Sequence, residues 1–254
     1  MDRLAFNAVA AINEQRIATQ MTINELANVT TVGFKSSFEA ALRATGFNGA
    51  GLSSRQQPQA ISEDYINMKP GELMATGNKL DIALTDSTVL GVSAPNGELA
   101  FTRRGDLRLS ANGTLENGSG HPVRGRGGAV ITAPPGVSLT IESDGSVFGT
   151  DPVATANVPP VLLGNLLLRD ASQTKLQRRT DGLYQVAGVP AGQDIKPGPI
   201  LPGLTAGGLE GSNVNAMGVM VKLIEQSRSF EQQINMIKEA KTTDESGSTM
   251  MKSS

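Results

Sequence analysis

Apolar and polar positions follow two different rhythms along this chain. From Asp2 to about Thr31 neither proline nor glycine interrupts it, and Ala8, Ala10, Ala11, Glu14, Gln15, Arg16, Ala18 and Gln20 are good helix formers. The spacing predicts one long helix whose 4-3 positions run Ala5, Ala8, Ile12, Gln15, Thr19, Thr22, Leu26 and Val29, with Gly33 as its stop. A second run extends from Asn213 to about Lys241. There Ala216, Met220, Leu223, Ser227, Phe230, Ile234 and Ile237 alternate at 4-3 spacing, and Ser212 or Asn213 supplies the cap. At about 1.5 Å per residue each helix would be roughly 40 to 45 Å long. A 4-3 seam is narrower than the stripe of a core-facing helix, so it asks for another helix as its partner.

Between the two runs the pattern shortens. Asn96-Gly97, Asn112-Gly113, Asn117-Gly118, Asp144-Gly145 and Asp181-Gly182 separate short stretches rich in Val, Leu, Ile and Thr. Such dipeptides accept the positive φ angles of tight two-residue hairpin turns. Strands are expected at Val89–Ala94, Glu98–Thr102, Leu107–Leu109, Val137–Ile141, Val161–Leu168 and Leu183–Val186. The polar stretch 48–70 and the Pro- and Gly-rich stretch 190–208 read as connectors. The expected fold is therefore mixed, with N- and C-terminal α-helices packed as a coiled-coil-like axial domain and an all-β domain inserted between them. Its parts would be 1–35 with 210–254 as the helical, polymerising part, 36–75 as an extended linker and 76–209 as the all-β outer domain.

Composition narrows the function more than the fold. The formal charge of −2 is dispersed, so there is no basic field to attract nucleic acid or an anionic membrane surface. With 7 Phe, 2 Tyr and no Trp the core must be mainly aliphatic, and without cysteine there is neither a disulfide nor a thiolate nucleophile. The early acidic and polar residues break up any apolar signal-peptide core, and the longest apolar stretch is far short of a membrane span, so neither a cleaved signal nor membrane insertion is expected.

Candidate chemistry is thin. His121, the one histidine, precedes Pro122 in a Gly-rich turn and has no second His or Cys to complete a metal set. Gly125-Arg126-Gly127-Gly128 lacks the spacing of a phosphate loop and precedes a strand rather than a helix. Arg103, Arg104, Arg124 and Arg126 read as a solvated strand face or as contacts to an acidic neighbour. Sequence alone does not pair Glu63, Asp64, Glu72, Asp81 and Asp86 as catalytic carboxylates. The expectation is a structural subunit rather than an enzyme, with no catalytic residue, cofactor, metal or small-molecule substrate. A secreted enzyme or an adhesin with incidental helical ends is the competing class.

Four segments carry a more specific signal: N-E-L-A-N-V-T-T-V-G-F-K-S (24–36), T-G-N-K-L-D-I-A-L (76–84), F-T-R-R-G-D-L-R-L-S-A-N-G-T-L (101–115) and L-E-G-S-N-V-N (209–215). In this order they resemble the flagellar rod and hook family of axial proteins. Val32 and Lys79 stand where that family commonly has proline. The Met-Asp start, the length and L-E-G-S-N look most like the proximal-rod type, with the distal-rod type as the alternative. The resemblance implies assembly with other flagellar rod proteins in the periplasm-spanning basal-body rod, after export by the flagellar type III apparatus without a cleaved signal. Assembly contacts are expected in the segments that carry the resemblance, at Leu26, Ala27, Asn28, Gly33, Phe34, Asn213 and Val214, and along the 4-3 seam, at Met220, Leu223, Phe230, Ile234 and Ile237; the resemblance also implies a structural role for Asp81 in the entry strand of the β part.

Overall fold

The computed structural model describes residues 2–37, 42–49, 52–60, 65–151 and 159–252. The carboxylates Glu63 and Asp64 lie outside these residues, as do the side chains of Ala5 and Ala8. The chain divides into two compact units, one of Met1–Ala27, Glu39–Glu63 and Asn215–Ser254, the other of Asn28–Phe38 and Asp64–Val214.

The first unit holds helix α1 (Asp2–Ala27), strands β1 (Leu42–Gly49) and β2 (Leu52–Ala60), and helix α2 (Ala216–Lys252). β1 and β2 pair antiparallel with Leu42 opposite Ala60, so the stretch expected as a linker contains a long hairpin. α2 begins later than the sequence pattern suggests because its cap is Asn215, whose Oδ1 accepts the Gly218 N–H at 3.1 Å. Ser212 instead accepts the Val214 N–H, and Asn213 serves the other unit. Thr19 and Thr22 fit inside α1 because each hydroxyl donates back to a carbonyl one turn earlier, that of Gln15 and of Ala18.

α1 and α2 touch, but not as a coiled-coil-like pair, and the expected fold class is corrected on this point. The described elements are two helices and sixteen strands, so the elements are mainly β and the second unit contains only strands. The inserted β body is present. Among the described side chains of α2 the buried ones are Val219 and Gln226, a register one residue off Met220 and Ser227 of the apolar 4-3 series, while Met220 and Phe230 are 47% and 42% exposed. The contacting side of α2 is therefore partly polar, with Gln226 donating from Nε2 to Thr22 Oγ1 at 3.1 Å and Gln15 donating from Nε2 to the Gln226 carbonyl at 3.2 Å.

The second unit is built from strands β3 (Leu73–Ala75), β4 (Ile82–Leu84), β5 (Thr88–Ser93), β6 (Leu99–Thr102), β7 (Leu107–Leu109), β8 (Leu115–Asn117), β9 (Ser138–Ile141), β10 (Ser146–Thr150), β11 (Val161–Asn165), β12 (Leu168–Asp170), β13 (Leu176–Arg178), β14 (Tyr184–Val186), β15 (Leu204–Ala206) and β16 (Gly208–Glu210). Five of them form a sheet ordered β12-β5-β6-β14-β13, three form β11-β10-β9, and β7-β8, β4-β15 and β3-β16 are separate pairs. Both faces of the five-stranded sheet are covered. Leu90, Val92 and Ala100 face a core with Ile82, Leu115, Val123, Ile141, Val147 and Leu166, while Val89 and Phe101 face a second core with Leu176, Tyr184 and Ile195. This explains why β5 reads as a near-continuous apolar run rather than an alternation.

The hairpin turns differ in type from the sequence expectation. Asn96, Asn112, Asp144 and Asp181 do not have positive φ, whereas the glycine after each does. In every case the glycine N–H bonds to the carbonyl three residues back, as in Gly97 to Ala94 and Gly113 to Ser110, and the residue at the start of the turn donates to the one after the glycine. These are three-residue loops, a type I turn closed by a left-handed glycine, and they suit the twist of the flanking strands without a strained Asn or Asp. At 117–121 the left-handed position falls on Gly120 rather than Gly118, with Asn117 opening the turn.

At the end of β12, Asp170 accepts from the Ser172 N–H and hydroxyl, each at 2.8 Å, and from the Ile200 N–H at 3.1 Å. Burial works to raise its pKa, but these three donors together outweigh burial and hold the carboxyl below the usual aspartate value. Because the folded value lies below the unfolded one, the stability from Asp170 is complete above the unfolded pKa and is lost as pH falls through the folded value. Thermal unfolding as a function of pH should therefore show the gap between the parent and Asp170→Asn closing on the acid side. A gap that stays constant through that range would contradict this assignment.

Candidate functional site

The four sequence segments that carry the family signal lie wholly or largely in the second unit, the first from Asn28 onward and the last up to Val214. The chain after α1 passes through Gly33, Phe34 and Lys35, while β16 leads into Gly211 and Asn213 before α2. These two stretches lie side by side, with the Gly33 N–H bonding to the Glu210 carbonyl at 2.7 Å and the Asn213 N–H to the Phe34 carbonyl at 3.3 Å. Gly33 has φ of +67°, and a Cβ there would stand 2.4 Å from the Arg103 carbonyl oxygen, so only glycine fits.

Glu210 is the centre of this junction. Its Oε1 accepts from Lys35 Nζ at 2.6 Å and from the Gly71 N–H at 2.9 Å, and its Oε2 accepts from Arg103 Nε at 2.8 Å. The side chains of Lys35 and Arg103 are fully buried and that of Glu210 nearly so. One carboxylate thus faces two cations in a dry site, and the remaining donors are matched by backbone. Lys35 Nζ also reaches the Lys69 carbonyl at 2.8 Å, and Arg103 donates to the carbonyls of Leu84, Asp86 and Thr88 at 2.8, 2.6 and 2.8 Å. Asp86 is the one described non-glycine residue at positive φ, and that conformation accompanies the aim of its carbonyl at Arg103. Burial pushes the Lys35 ammonium below the ordinary lysine value, the Arg103 charge adds to the effect, and Glu210 offsets part of it.

A second layer fixes the same strands. Arg178 lies over the Phe34 ring at 4.3 Å and donates to the Lys35 carbonyl, while the Tyr184 hydroxyl donates to the Gly33 carbonyl at 3.3 Å. Burial, as the largest influence, raises the Tyr184 pKa to about 12. Asn213 accepts the Ser36 N–H through Oδ1 at 2.7 Å and donates through Nδ2 to the carbonyls of Asn67 and Lys69.

Of the residues expected at assembly contacts, Gly33, Phe34 and Asn213 belong to this junction. Val214 adjoins it in sequence, and Leu26, Ala27 and Asn28 occupy the end of α1 and the turn after it. On α2, Met220 and Phe230 are exposed and Leu223, Ile234 and Ile237 half-buried. Exposed Met217, Met220, Val221 and Ile224 recur at helical spacing and form one apolar face. Sequence reasoning missed Lys35, Arg103 and Glu210 as a cluster; of its two readings of Arg103, the structure has the contact to an acidic residue and not the solvated strand face. Asp81 is structural, accepting from Thr76 Oγ1 at 2.6 Å and Asn78 Nδ2 at 3.0 Å. Among the described residues there is no group of His, Cys, Asp and Glu able to hold a metal ion, and no helix long and apolar enough to cross a membrane.

The comparisons with known proteins decide the family. Residues 88–149 match the flagellar hook protein FlgE/F/G D1 domain and residues 205–250 the flagellar basal body rod FlgEFG protein C-terminal region. Over 93% of both chains the protein is 34% identical to the flagellar basal-body rod protein FlgF of Escherichia coli K12. The chain belongs to the flagellar basal-body rod protein family. It is also 35% identical to FlgF of Salmonella typhimurium LT2 over 93% of each chain, and 31% identical to FlgG of Buchnera aphidicola from Acyrthosiphon pisum over 87% of this chain and 88% of that one. Both identity and coverage place this rod-family chain nearer those FlgF proteins than that FlgG. Arg103 falls in the first matched region and Glu210 in the second, so the buried pair ties together the two parts that the family models describe.

Unequal sensitivity should mark this cluster. Glu210→Gln strands two buried cations without a counter-ion and is expected to cost about 3–5 kcal/mol. Lys35→Met leaves the Arg103–Glu210 pair intact and is expected to cost about 1–2 kcal/mol. Urea unfolding followed by tyrosine fluorescence measures both. Equal costs would remove Glu210 from the centre of the junction.

Proposed function

We propose that this protein is a structural subunit of the flagellar basal-body rod, of the FlgF type, and that its work is assembly rather than catalysis. The observation that carries the reading is similarity along nearly the whole chain to rod proteins named FlgF. The apolar face of α2 supports it, because exposed residues at helical spacing gain burial from a neighbouring subunit. Each such side chain is worth roughly 1.5–3 kcal/mol when fully buried. Subunits joined head to tail through an interface that does not close on itself make a helical stack, which is the geometry a shaft requires.

In this reading the parts 1–35 and 210–254 carry the contacts between subunits, through Leu26, Ala27, Asn28, Met220, Leu223, Phe230, Ile234 and Ile237. The junction residues Gly33, Phe34 and Asn213, with Val214 next to them in sequence, lie where those ends begin. The partners are other rod proteins, a FlgG-type subunit among them. The location is the rod across the periplasm, reached through the flagellar export apparatus.

Phe230→Asp and Ile234→Asp should abolish incorporation into purified basal bodies and stop motility, while amide exchange across β4 to β15 stays as in the parent. Normal motility in both variants, or an unfolded β unit, would contradict the assignment of assembly to α2.

A further inference from the structure

The contact between α1 and α2 has a polar part at its buried level, beside Val219, which is 8% exposed. Thr22 is 1% exposed and Gln226 9% exposed, and they meet through a single hydrogen bond from Gln226 Nε2 to Thr22 Oγ1 at 3.1 Å. The Thr22 hydroxyl proton is already donated to the Ala18 carbonyl at 2.9 Å, so its oxygen can only accept. That fixes which end of the Gln226 amide points at α1. The other end is left over: Gln226 Oε1 and, one heptad later, Gln233 Oε1 are buried without a partner among the described residues. One heptad before Thr22 on α1, Gln15 donates to the Gln226 backbone carbonyl at 3.2 Å.

Pure packing would not select this arrangement. Leaving a buried amide oxygen unpaired costs stability, and an apolar side chain at Gln226 would fill the seam without that cost. Buried polar groups at helix seams set register and partner choice at the expense of stability. We infer that Gln226, with Thr22 and Gln15, is a register-determining device for the α1–α2 pair. Rotating α2 by one residue would set the Glu225 carboxylate against the Thr22 oxygen, acceptor against acceptor. Sliding it by one heptad to bring Val219 there would leave the hydroxyl without its amide. The Gln226 amide therefore selects against these two alignments, while Gln233, one heptad later, carries the same donor. The inference concerns how two helices of one chain align, and it stands whether or not α2 also binds a neighbouring subunit.

The test uses full-length protein. The chain has no cysteine, so nitroxide labels go on Gln20→Cys and Arg228→Cys, both exposed positions, and pulsed dipolar spectroscopy reads the distance between them. The parent should give one narrow distance. Thr22→Val with Gln226→Leu should keep its helix content by circular dichroism but give a broadened distribution or more than one maximum. Thr22→Ser, which keeps the acceptor oxygen, and Val219→Ile, which changes only packing, should remain narrow. The inference is overturned if the double variant stays narrow at the parent distance, if it loses helix content, if the parent is itself broad, or if Val219→Ile broadens equally.

Discussion

A buried carboxylate between two buried cations is the constraint on which the β unit depends. Two charges removed from water cost several kcal/mol each, and only close, complete pairing repays that cost. Here repayment draws on residues far apart in the chain: Lys35 from the segment after α1, Arg103 from the turn after β6 and Glu210 from the last strand, with the Gly71 amide and four backbone carbonyls completing the set. The junction depends most on Glu210, the one group that both cations share. If Glu210 is absent from its place the two cations repel, and if Gly33 carried a side chain the backbone of Arg103 could not approach. The cluster is therefore a closure that joins the beginning and the end of the second unit.

The helices follow a different logic. Their contact is held by a few hydrogen bonds among Gln15, Thr22 and Gln226, while methionine, valine, isoleucine and phenylalanine on α2 remain exposed. For a rod protein this division is coherent. In the proposed reading the polar inner contact aligns the helices of one subunit and the apolar outer face is left for a neighbour. The β unit has two hydrophobic cores of its own, one aliphatic and one that includes Phe101 and Tyr184.

How much of this could be read from sequence depends on how local each cause is. Long helices at both ends were legible because glycine and proline are missing from them over many turns, and the hairpins because glycine marks left-handed backbone wherever it is required. The turn type was not, since Asn-Gly serves a three-residue loop as readily as a two-residue one. The 4-3 series on α2 shares Met220 with the exposed apolar face but does not single out Val219 and Gln226, because periodicity reports where apolar residues lie and not what stands opposite. Asn213 looked like a helix cap until its partners at Ser36, Asn67 and Lys69 were known. Arg103 and Glu210 sit 107 residues apart, and no local pattern announces that an arginine is buried against a distant glutamate.

Site-resolved amide exchange on the unmodified protein tests the closure most directly. The N–H groups of Gly33, Ser36, Gly71 and Asn213 each bond across the junction, to Glu210, Asn213 or Phe34. If one buried cluster holds them, they open together, with a single shared protection that responds to denaturant as one unit. Rapid exchange at Gly33 and Ser36 beside strong protection at Gly71 would show that the segment after α1 is not held by Glu210, and would contradict the account.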